Sequence, residues 1–456
     1  MNLTNRLRAA IALLLCSAAL LAQAPAEAIG EPAVRETLGW LASDERAGRD
    51  TPSAGLEAAA DWIAERFQRA GLSKVGADWF HRYELDGVRI DPAGSKIALR
   101  LVVGASSVDA PLELGADFRL LRAGAVESET DQQVNVVRGE DPRAERMQMM
   151  RAARRATLLE VDANDALWEF AGRARTVLDA PRQQTRPVFL VRRGSLPKPE
   201  QQGEVTWQAT WSTPPVQQVK VPLRNVMGVI RGSELPDEYV AVTAHYDHVG
   251  IGSAVDGDAI YNGADDDATG TTAVILLAEA LAKLPAPRRS ILFVCFSAEE
   301  KGLRGSRAFC DTPPVPLENI VANVNIEMIG RPEEGRREKA WVTGSEYSDF
   351  AAIAGKAMER AGIGLVDFPM AKQLFQASDN ASFVRKGVVA HSISAGSLHK
   401  DYHQPTDHVD RIDIPHMTAV IRGLREAVLE FASREARPAW NEEGRKVLES
   451  ANRPRR

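Results

Sequence analysis

The sequence predicts an α/β protein in which a mixed, mostly parallel sheet lies between layers of helices, with a β-rich domain inserted into it. Two observations support this fold. From about residue 224 to 432, short apolar segments rich in β-branched residues alternate with helical segments, which is typical of a parallel sheet covered on both faces. From about residue 82 to 220 the chain instead carries several short β-like runs, which fit an inserted domain.

The predicted strands of the α/β part are short and apolar, as strands buried on both faces should be. They are NVMGVIRG (225–232), EYVAVTAH (238–245), ILFVCFS (291–297), IVANVNIE (320–327), AWVTG (340–344) and GVVAHSISA (387–395). The helices between and after them are predicted at 268–284, 348–363 and 414–433. Pro415 suits the first turn of the last helix, because its missing N–H is not needed there.

The remaining segments complete the predicted domain organisation. Two helices within 33–72 belong to an N-terminal helical part of the same α/β domain. A basic segment at 143–161 is interpreted as a solvated amphipathic helix rather than an anion site. The predicted parts are a signal peptide (1–24), the N-terminal helical part (25–81), the inserted domain (82–222), the main domain (223–435) and a polar, frayed tail (436–456).

The N-terminus predicts export. Two arginines precede the apolar run AAIALLLCSAALL (9–21), and AQA (22–24) supplies a small-x-small cleavage pattern. The apolar run is shorter than the roughly 18 residues that a membrane-spanning helix needs, and no later segment qualifies. A lipoprotein anchored at Cys16 is disfavoured, since small residues do not precede that cysteine. We therefore expect a periplasmic or secreted protein without stable membrane insertion, of unknown oligomeric state.

Net charge and cysteine content bear on nucleic-acid binding and on a possible disulfide. The formal net charge is −6 and would become −8 after loss of residues 1–24 with their two arginines, which argues against nucleic-acid binding. Cys295 and Cys310 would remain, and an oxidising compartment permits a disulfide between them. Because Cys295 lies inside the apolar run ILFVCF, a buried free cysteine is the preferred interpretation.

Five polar clusters follow predicted strands or lie in adjoining loops. They are AHYDH (244–248), NGADDDATG (262–270), SAEEKG (297–302), NIEMIG (325–330) and HKDYHQPTD (399–407). Alone, each has an ordinary explanation such as surface charge, a turn or a helix cap. Since the carboxyl ends of parallel strands meet at one sheet edge, their combination instead favours a metal site of imidazole and carboxylate ligands.

The composition of these clusters fits a pair of metal ions that share a carboxylate. Two such ions activate a water, and a separate carboxylate takes its proton and passes it to the leaving group. The neighbouring acids Glu299 and Glu300 can divide this work, because side chains next to each other at a strand end point in different directions.

These segments resemble metallopeptidase family 28, which contains co-catalytic zinc aminopeptidases and their glutamate carboxypeptidase and glutaminyl cyclase relatives. The resemblance covers 33–72 and 224–432 and is specific in the order and spacing of its motifs. The motifs are HYD (245–247), GADDDATG (263–270), SAEEKGLRGS (297–306), NIEMIG (325–330), SDNASF (378–383) and YHQPTD (402–407). The resemblance implies a three-layer α/β/α zinc-exopeptidase fold, peptide substrates and two Zn²⁺ ions.

The resemblance also implies the ligands of both ions. His245 and Glu327 would hold the first zinc, Glu300 and His403 the second, and Asp266 would bridge them. Asp266 is chosen within the aspartate run because the bridging residue of the family lies three positions before a Ser/Thr-Gly pair, here 269–270. A cis peptide bond between Asp266 and the next aspartate is implied as well.

The catalytic roles follow the same resemblance. Glu299 would be the general base, Tyr402 would polarise the scissile carbonyl, and Asp379 would support the site. The chain departs from the family at Glu327, where aspartate is usual and where the longer side chain can shift the zinc. The inserted segment lacks an obvious signature of the protease-associated domain that many relatives carry at this place.

The stretch HYDH (245–248) is interpreted from strand alternation. His245 and Asp247 would share a side of the strand while Tyr246 and His248 point away. His245 is then the metal ligand, and Asp247 fixes its ring and tautomer. His248 is expected to lie outside the ligand set.

An aminopeptidase is the leading hypothesis, and several alternatives stay open. A carboxypeptidase or dipeptidase would present a cation to the substrate carboxylate, for which Arg304, Arg331 and Lys400 are candidates. A glutaminyl cyclase would hold one zinc. A non-catalytic receptor-like binding protein is disfavoured because all ligand positions hold competent residues, and a metallophosphatase-like hydrolase is disfavoured because its usual motifs are missing.

Overall fold

The computed structural model describes residues 29–124, 128, 132–138, 155–178, 186–199 and 204–451. The predicted signal peptide and residues 143–154 of the predicted helix at 143–161 lie outside the described residues. Residues 157–161 of that predicted helix form a buried strand instead, so the helix prediction is wrong there. The described helices are α1 (Glu31–Leu41), α2 (Ala54–Arg69), α3 (Ala166–Ala171), α4 (Thr269–Leu281), α5 (Arg304–Asp311), α6 (Phe350–Met358), α7 (Asn380–Val384), α8 (Ile414–Ser433) and α9 (Glu442–Ala451).

The described strands are short in most cases, with β11 and β12 among the longest. In chain order they are β1 (Phe80–Ile90), β2 (Lys96–Val103), β3 (Ser106–Pro111), β4 (Phe118–Arg122), β5 (Gln132–Gln133), β6 (Asn135–Val137), β7 (Thr157–Val161), β8 (Arg175–Leu178), β9 (Val188–Arg192), β10 (Val205–Ser212), β11 (Gln217–Ile230), β12 (Leu235–His245), β13 (Gly250–Val255), β14 (Asp258–Tyr261), β15 (Arg289–Phe296), β16 (Ile320–Ile326), β17 (Lys339–Val342), β18 (Gly364–Leu365) and β19 (Ala390–Ser394).

The described chain divides into two compact units. The large unit comprises the described residues of 1–83, 223–250 and 261–456, and the inserted unit those of 84–222 and 251–260. Inclusion of 251–260 in the inserted unit is not part of the sequence prediction, which ends the insert at residue 222.

The sheet of the large unit has the strand order β18-β17-β19-β16-β12-β15-β11-β1. Strand β12 pairs in parallel with both β15 and β16, and β16 pairs in parallel with β19. Strands β11 and β17 join β15 and β19 in antiparallel fashion. The predicted mixed sheet with a parallel centre is therefore confirmed.

Helices cover both faces of this sheet. Helix α4 packs on β12 and β15, and α8 packs across α1, α4 and α6. On the other face, residues of α5 and α7 join the alternate side chains of the strands in one apolar cluster, which includes Met227, Ala241, Leu292, Val294, Phe296, Phe309, Phe383 and Val384. The three-layer α/β/α arrangement follows from these two covers.

The ends of α8 follow from local sequence. Pro415 lies in its first turn, and the Asp413 side chain accepts a hydrogen bond from the backbone N–H of His416. Both features satisfy or remove donors that the first turn of a helix leaves free. The predicted place of Pro415 is thereby confirmed.

The inserted unit is built mainly of strands. One sheet has the order β3-β2-β10-β5 and another the order β4-β9-β7-β6, while β8 pairs with residues 87–90 of β1. The apolar core between them includes Leu99, Leu101, Phe118, Leu158, Phe189, Trp207 and Trp211.

Three further features bear on the sequence predictions. Residues 442–451 of the predicted frayed tail form α9, whose Val447 and Leu448 pack against the core of the large unit because the helix is amphipathic. Cys295 and Cys310 are both buried and free. Among the described helices, none combines the length and the apolar character that crossing a bilayer requires.

Candidate metal centre

The polar clusters that follow β12, β15 and β16 meet at one edge of the sheet. His245 is the last residue of β12 and lies opposite Phe296 of the parallel strand β15. Glu299 and Glu300 follow β15 after a short turn, and Glu327 directly follows β16. The register of the parallel strands thus places these side chains together, as the sequence predicts.

The aspartate run enters the same edge through the turn before α4. Asp407 accepts hydrogen bonds from the backbone N–H groups of Asp265 and Asp266, and so fixes this turn. The peptide bond between Asp266 and Asp267 is cis, as the family resemblance implies. Asp266 is buried and its carboxylate faces the ends of β12 and β15.

One group of donors, site 1, consists of His245, Asp266 and Glu327. His245 Nε2 lies 3.3 Å from Asp266 Oδ1 and 3.2 Å from Glu327 Oε1. The other oxygen of Glu327 accepts hydrogen bonds from Ser378 and Asn325, so its long side chain is held in place. The longer side chain of Glu327 therefore still places a carboxylate oxygen beside His245, as an aspartate at this position would be expected to do.

A second group, site 2, gathers around the other oxygen of the same aspartate. His403 Nε2 lies 3.0 Å from both Asp266 Oδ2 and Glu300 Oε1. His248 Nδ1 lies 2.9 Å from Glu300 Oε1 and 3.7 Å from Asp266 Oδ2. Asp266 thus turns one carboxylate oxygen toward each site.

The donor atoms of site 2 fit a metal ion better than they fit one another. Asp266 Oδ2, Glu300 Oε1 and His403 Nε2 are buried, yet within the described part of the chain none of them has a hydrogen-bond partner. Buried polar atoms without partners are rare and costly in folded proteins. Imidazole and carboxylate donors that face one another at about 3 Å are the set that zinc prefers.

Electrostatics supports the same interpretation. Burial acts to raise the pKa of Asp266, but His245 and His403 outweigh it and hold that pKa well below its usual range. Burial and Asp266 likewise act to raise the pKa of Glu300, but His248 and His403 lower it to about 2. Although burial disfavours imidazolium, Asp266 and Glu300 raise the pKa of His403 to about 10. The centre therefore attracts positive charge, which metal ions would supply.

Glu299 and Asp379, predicted as base and supporting acid, lie at the same edge. Burial, together with Asp379 and Glu327, raises the pKa of Glu299 well above its usual range despite the attraction of His245. Asp379 is fully buried, and burial above all raises its pKa to about 7. Carboxyl groups with raised pKa values are suited to accept and return a proton near neutral pH.

Tyr402 lies at the exposed rim of the centre. Its ring stacks on His403 with 4.0 Å between ring centroids, and 38% of the residue is exposed. This position is open to a substrate approaching site 2.

Asp247 supports the centre differently from the prediction. Its carboxylate lies 3.8 Å from His245 Nδ1, too far for a hydrogen bond, while its backbone carbonyl lies 3.1 Å from that nitrogen. The two carboxylate oxygens instead accept from the Glu299 N–H and the Thr51 hydroxyl. Asp247 therefore links the HYDH segment to the segment that carries Glu299.

The placement of His248 also differs from the sequence prediction. The residue is fully buried and faces site 2, because the chain leaves β12 at His245 and strand alternation no longer applies. Asp267 was missed as well, and its carboxyl group lies near His245 and Glu327. One oxygen of Asp267 accepts from the backbone N–H groups of Gly270 and Met328.

A buried arginine holds two of the contributing segments together. Arg49 is fully buried and donates hydrogen bonds to the carbonyls of Leu41, Tyr246, Asn262 and Gly263. Tyr246 belongs to the HYDH segment, and 262–263 lead into the aspartate run. Although Asp247 and Asp266 favour the cation, burial lowers the pKa of Arg49 to about 10. The sequence signal for this role was weak, since one arginine in a turn has many explanations.

Comparison with known proteins agrees with the motifs. The sequence model described as peptidase family M28 matches residues 225–428, which contain all five predicted metal ligands. The match covers 204 of the 456 residues, and it identifies peptidase family M28 as the family that this part of the chain resembles. The resemblance drawn from the M28 motifs is therefore confirmed.

Curated relatives match over part of their length. A probable zinc metalloprotease of Leptosphaeria maculans is 29% identical over 157 residues, 33% of this chain and 36% of that protein. Aminopeptidase YwaD of Bacillus subtilis is 26% identical over 224 residues, 47% of this chain and 46% of that protein. The chain thus spans less than half the length of these two relatives.

Solved structures match over most of the chain. A zinc aminopeptidase from Bacillus subtilis has a TM-score of 0.57 and 16% identity, covering 89% of this chain and 96% of that chain. An aminopeptidase from Aneurinibacillus sp. strain AM-1 has a TM-score of 0.52 and 15% identity, covering 90% and 96%. At this identity the likeness shows a shared fold.

Proposed function

We propose that this chain is an exported aminopeptidase that holds two zinc ions and removes the N-terminal residue of peptides. The observation that carries the proposal is the carboxylate of Asp266, with Oδ1 in one donor group and Oδ2 in another. A bridging carboxylate between two imidazole-carboxylate groups is the ligand arrangement of a two-metal hydrolase. The names of the relatives and of the solved structures support zinc and aminopeptidase activity.

The residues present would hold both ions. His245, Asp266 and Glu327 would bind the first, and Asp266, Glu300 and His403 the second. When bound, the ions supply Lewis acidity and a water of lowered pKa.

The chain's own residues would then move the proton and orient the substrate. Glu299 would take the proton of the attacking water and return it to the departing amine. Asp379, which is buried nearby, would sustain the raised pKa of Glu299. Tyr402, at the rim beside His403, would donate a hydrogen bond to the oxygen of the scissile carbonyl.

The charge of the centre favours a free N-terminus as the recognised group. Acidic side chains dominate the edge, so a substrate ammonium is attracted there. Arg331, a candidate for binding a substrate carboxylate, is already paired with Asp401 at 2.8 Å and contacts His399. This pairing argues against Arg331 as the group that would bind a substrate carboxylate in a carboxypeptidase.

Substrate specificity is tested with a panel of aminoacyl amides, N-blocked peptides, dipeptides and N-terminal glutaminyl peptides, each with and without a zinc chelator. We expect release of N-terminal residues from unblocked substrates and none after chelation. Cleavage of N-blocked peptides at the C-terminus would indicate a carboxypeptidase, and cyclisation of glutamine a glutaminyl cyclase. Inactivity toward the whole panel by a zinc-loaded protein would favour a binding protein and contradict the proposal.

The role of Glu299 is tested by Glu299→Ala. Because this side chain is proposed to move the proton rather than bind metal, we expect zinc content to stay unchanged while turnover falls by about 10²–10⁴-fold. The exposed Glu318, changed to Gln, serves as a control with normal turnover. Retained activity in Glu299→Ala would overturn the mechanism.

Export is tested on the mature protein. N-terminal sequencing of material recovered outside the cytoplasm should begin at Pro25, after the predicted cleavage site at Ala24. An intact N-terminus on material confined to the cytoplasm would contradict export.

A further inference from the structure

His248 is a buried histidine that the proposed five-ligand set leaves without a role. Its residue is 0% exposed, and it lies three positions beyond the end of β12. Its Nδ1 is 2.9 Å from Glu300 Oε1 and 3.7 Å from Asp266 Oδ2. Its ring meets that of His403 edge to face, with 5.4 Å between centroids.

Neither ring nitrogen of His248 has a hydrogen-bond partner among the residues that the structure describes. The contact of Nδ1 with Glu300 is short, but its direction is not that of a hydrogen bond. A fully buried imidazole without partners is costly unless something else satisfies it. The unpaired atoms of Asp266, Glu300 and His403 face the same place.

We propose that His248 is a fourth protein ligand of the ion at site 2, bound through Nδ1. One ligand atom each from His248, Asp266, Glu300 and His403 lies within 4.8 Å of all the others. Ligand atoms about 2.0–2.2 Å from a common zinc ion fall within such a group. Site 2 then has two imidazole and two carboxylate donors, which is enough to fill a tetrahedral zinc site.

The surrounding backbone is shaped to hold this ring at site 2. Arg49 donates hydrogen bonds to the carbonyls of Tyr246 and Gly263, and its own carbonyl accepts one from the backbone N–H of His248. Gly263 has a φ of +59°, and a Cβ there would lie 2.4 Å from Cγ of His248. A side chain at 263 would therefore push the imidazole away from Glu300.

The competing explanation is that His248 only donates a hydrogen bond that orients Glu300. His248→Asn separates the two explanations, because Nδ2 of asparagine can replace Nδ1 as a hydrogen-bond donor but offers no ligand lone pair. Zinc affinity of the full chain is measured by competition with a chromophoric chelator, and zinc content by elemental analysis.

We expect His248→Asn to lower the affinity for one of the two zinc ions by more than about 100-fold. This loss exceeds the roughly 10–100-fold that is typical when a residue that only orients a ligand is replaced. The other ion should lose much less affinity, because its own imidazole and second carboxylate are unchanged, although the shared carboxylate of Asp266 couples the two sites. Any smaller loss, or an equal loss at both ions, would overturn the assignment of His248 as a ligand.

Two further variants guard against a folding defect. His248→Asp supplies an oxygen ligand at the same place and should recover most of the lost affinity, whereas a merely damaged fold would not recover. His399→Asn is the matched control, since His399 also faces an aspartate, Asp265, but lies outside both donor groups. We expect both zinc affinities to be unchanged in that control, and failure of His248→Asp to recover affinity would contradict the proposal.

This inference rests on the two-ion interpretation of the proposed function, yet the two fail differently. If the wild-type chain were inactive toward peptides, the aminopeptidase proposal would be wrong, but the zinc affinities and the test of His248 would be unaffected. If the wild type bound one zinc ion and His248→Asn left its affinity unchanged, the assignment of His248 as a ligand would be wrong whatever the substrate.

Discussion

The two donor groups of the metal centre differ in how the fold positions them. At site 1, His245 ends β12 and Glu327 follows β16, so both depend on the register of adjacent parallel strands. At site 2, Glu300, His403 and His248 lie in loops, and the His403 side chain is 36% exposed with a positive φ of 52°. Strand-borne donors follow from the sheet, whereas loop-borne donors depend on contacts far away in sequence.

Asp266 belongs to both site 1 and site 2, so it is the one proposed ligand that the two sites share. Asp266→Asn keeps the shape of the side chain but removes the charge that both sites share. We expect loss of more than about 100-fold in affinity for both zinc ions, with loss of peptidase activity. Elemental analysis after dialysis measures the zinc, and an aminoacyl substrate measures the activity.

The exposed Asp410, changed to Asn, is the control and should keep both ions. If Asp266→Asn lost only one ion, the aspartate would belong to a single site and the shared-carboxylate account would be wrong.

Glu327→Gln sharpens the comparison by removing a donor from site 1 alone. Glu327 Oε1 faces His245, and its other oxygen is held by Ser378 and Asn325, so glutamine can keep the packing without the charge. We expect loss of one zinc per chain, while site 2 keeps its ion with a much smaller loss of affinity, because the two sites are coupled only through the shared Asp266. Titration with the chelator distinguishes this result from loss of both ions, which would mean that the sites are not independent.

Much of site 1 could be predicted from sequence because its ligands lie at the ends of strands. His245 and Glu327 end buried strands, and parallel strands bring their ends to one edge. His248 could not be placed correctly, because strand alternation stops at His245. The direction of the chain beyond it depends on Arg49, nearly 200 residues earlier.

Arg49→Met tests whether a common support underlies both groups. The substitution leaves up to four buried carbonyls without their donor, and it removes a cation from among the aspartates. We expect the free energy of unfolding to fall by about 4 kcal/mol. Urea denaturation of the zinc-free chain measures this loss.

Arg69→Met is the matched control, since Arg69 is largely exposed and pairs with the exposed Glu65 on the same helix. Equal stabilities of the two variants would contradict a supporting role for Arg49.

His391 differs from His248 in having hydrogen-bond partners for both ring nitrogens, and we expect it to affect only the pH dependence of the free energy of unfolding. It is also fully buried, but Ser348 Oγ and the carbonyl of Thr343 each lie 2.7 Å from one of its ring nitrogens. Burial lowers the pKa of His391 to about 4. Because an unfolded chain binds a proton below about pH 6.5, this histidine's contribution is fully present above that pH and is lost as pH falls toward 4.

Between pH 7.5 and 5, His391 should therefore account for a loss of about 2 kcal/mol in the free energy of unfolding. Urea denaturation at both pH values, compared between the wild type and His391→Gln, isolates this contribution. The variant should lose about 2 kcal/mol less over this interval. An identical pH dependence in the two chains would show that His391 is not held neutral.

The inserted unit shows a second limit of prediction from sequence. Its β-like runs are visible in the sequence, but residues 251–260 join it from within the main domain. The hairpin formed by β13 and β14 has no apolar pattern that distinguishes it from the loops of the α/β part. Local pattern identifies the strand, while long-range contacts decide to which unit it belongs.

The zinc content of the wild-type chain tests the central claim most directly. The chain is loaded with zinc, dialysed against metal-free buffer and measured by elemental analysis alongside Asp266→Asn. The shared carboxylate predicts two zinc ions per wild-type chain and none in the variant. A wild-type value of one, or two ions retained without Asp266, would contradict a centre in which one aspartate joins two metal sites.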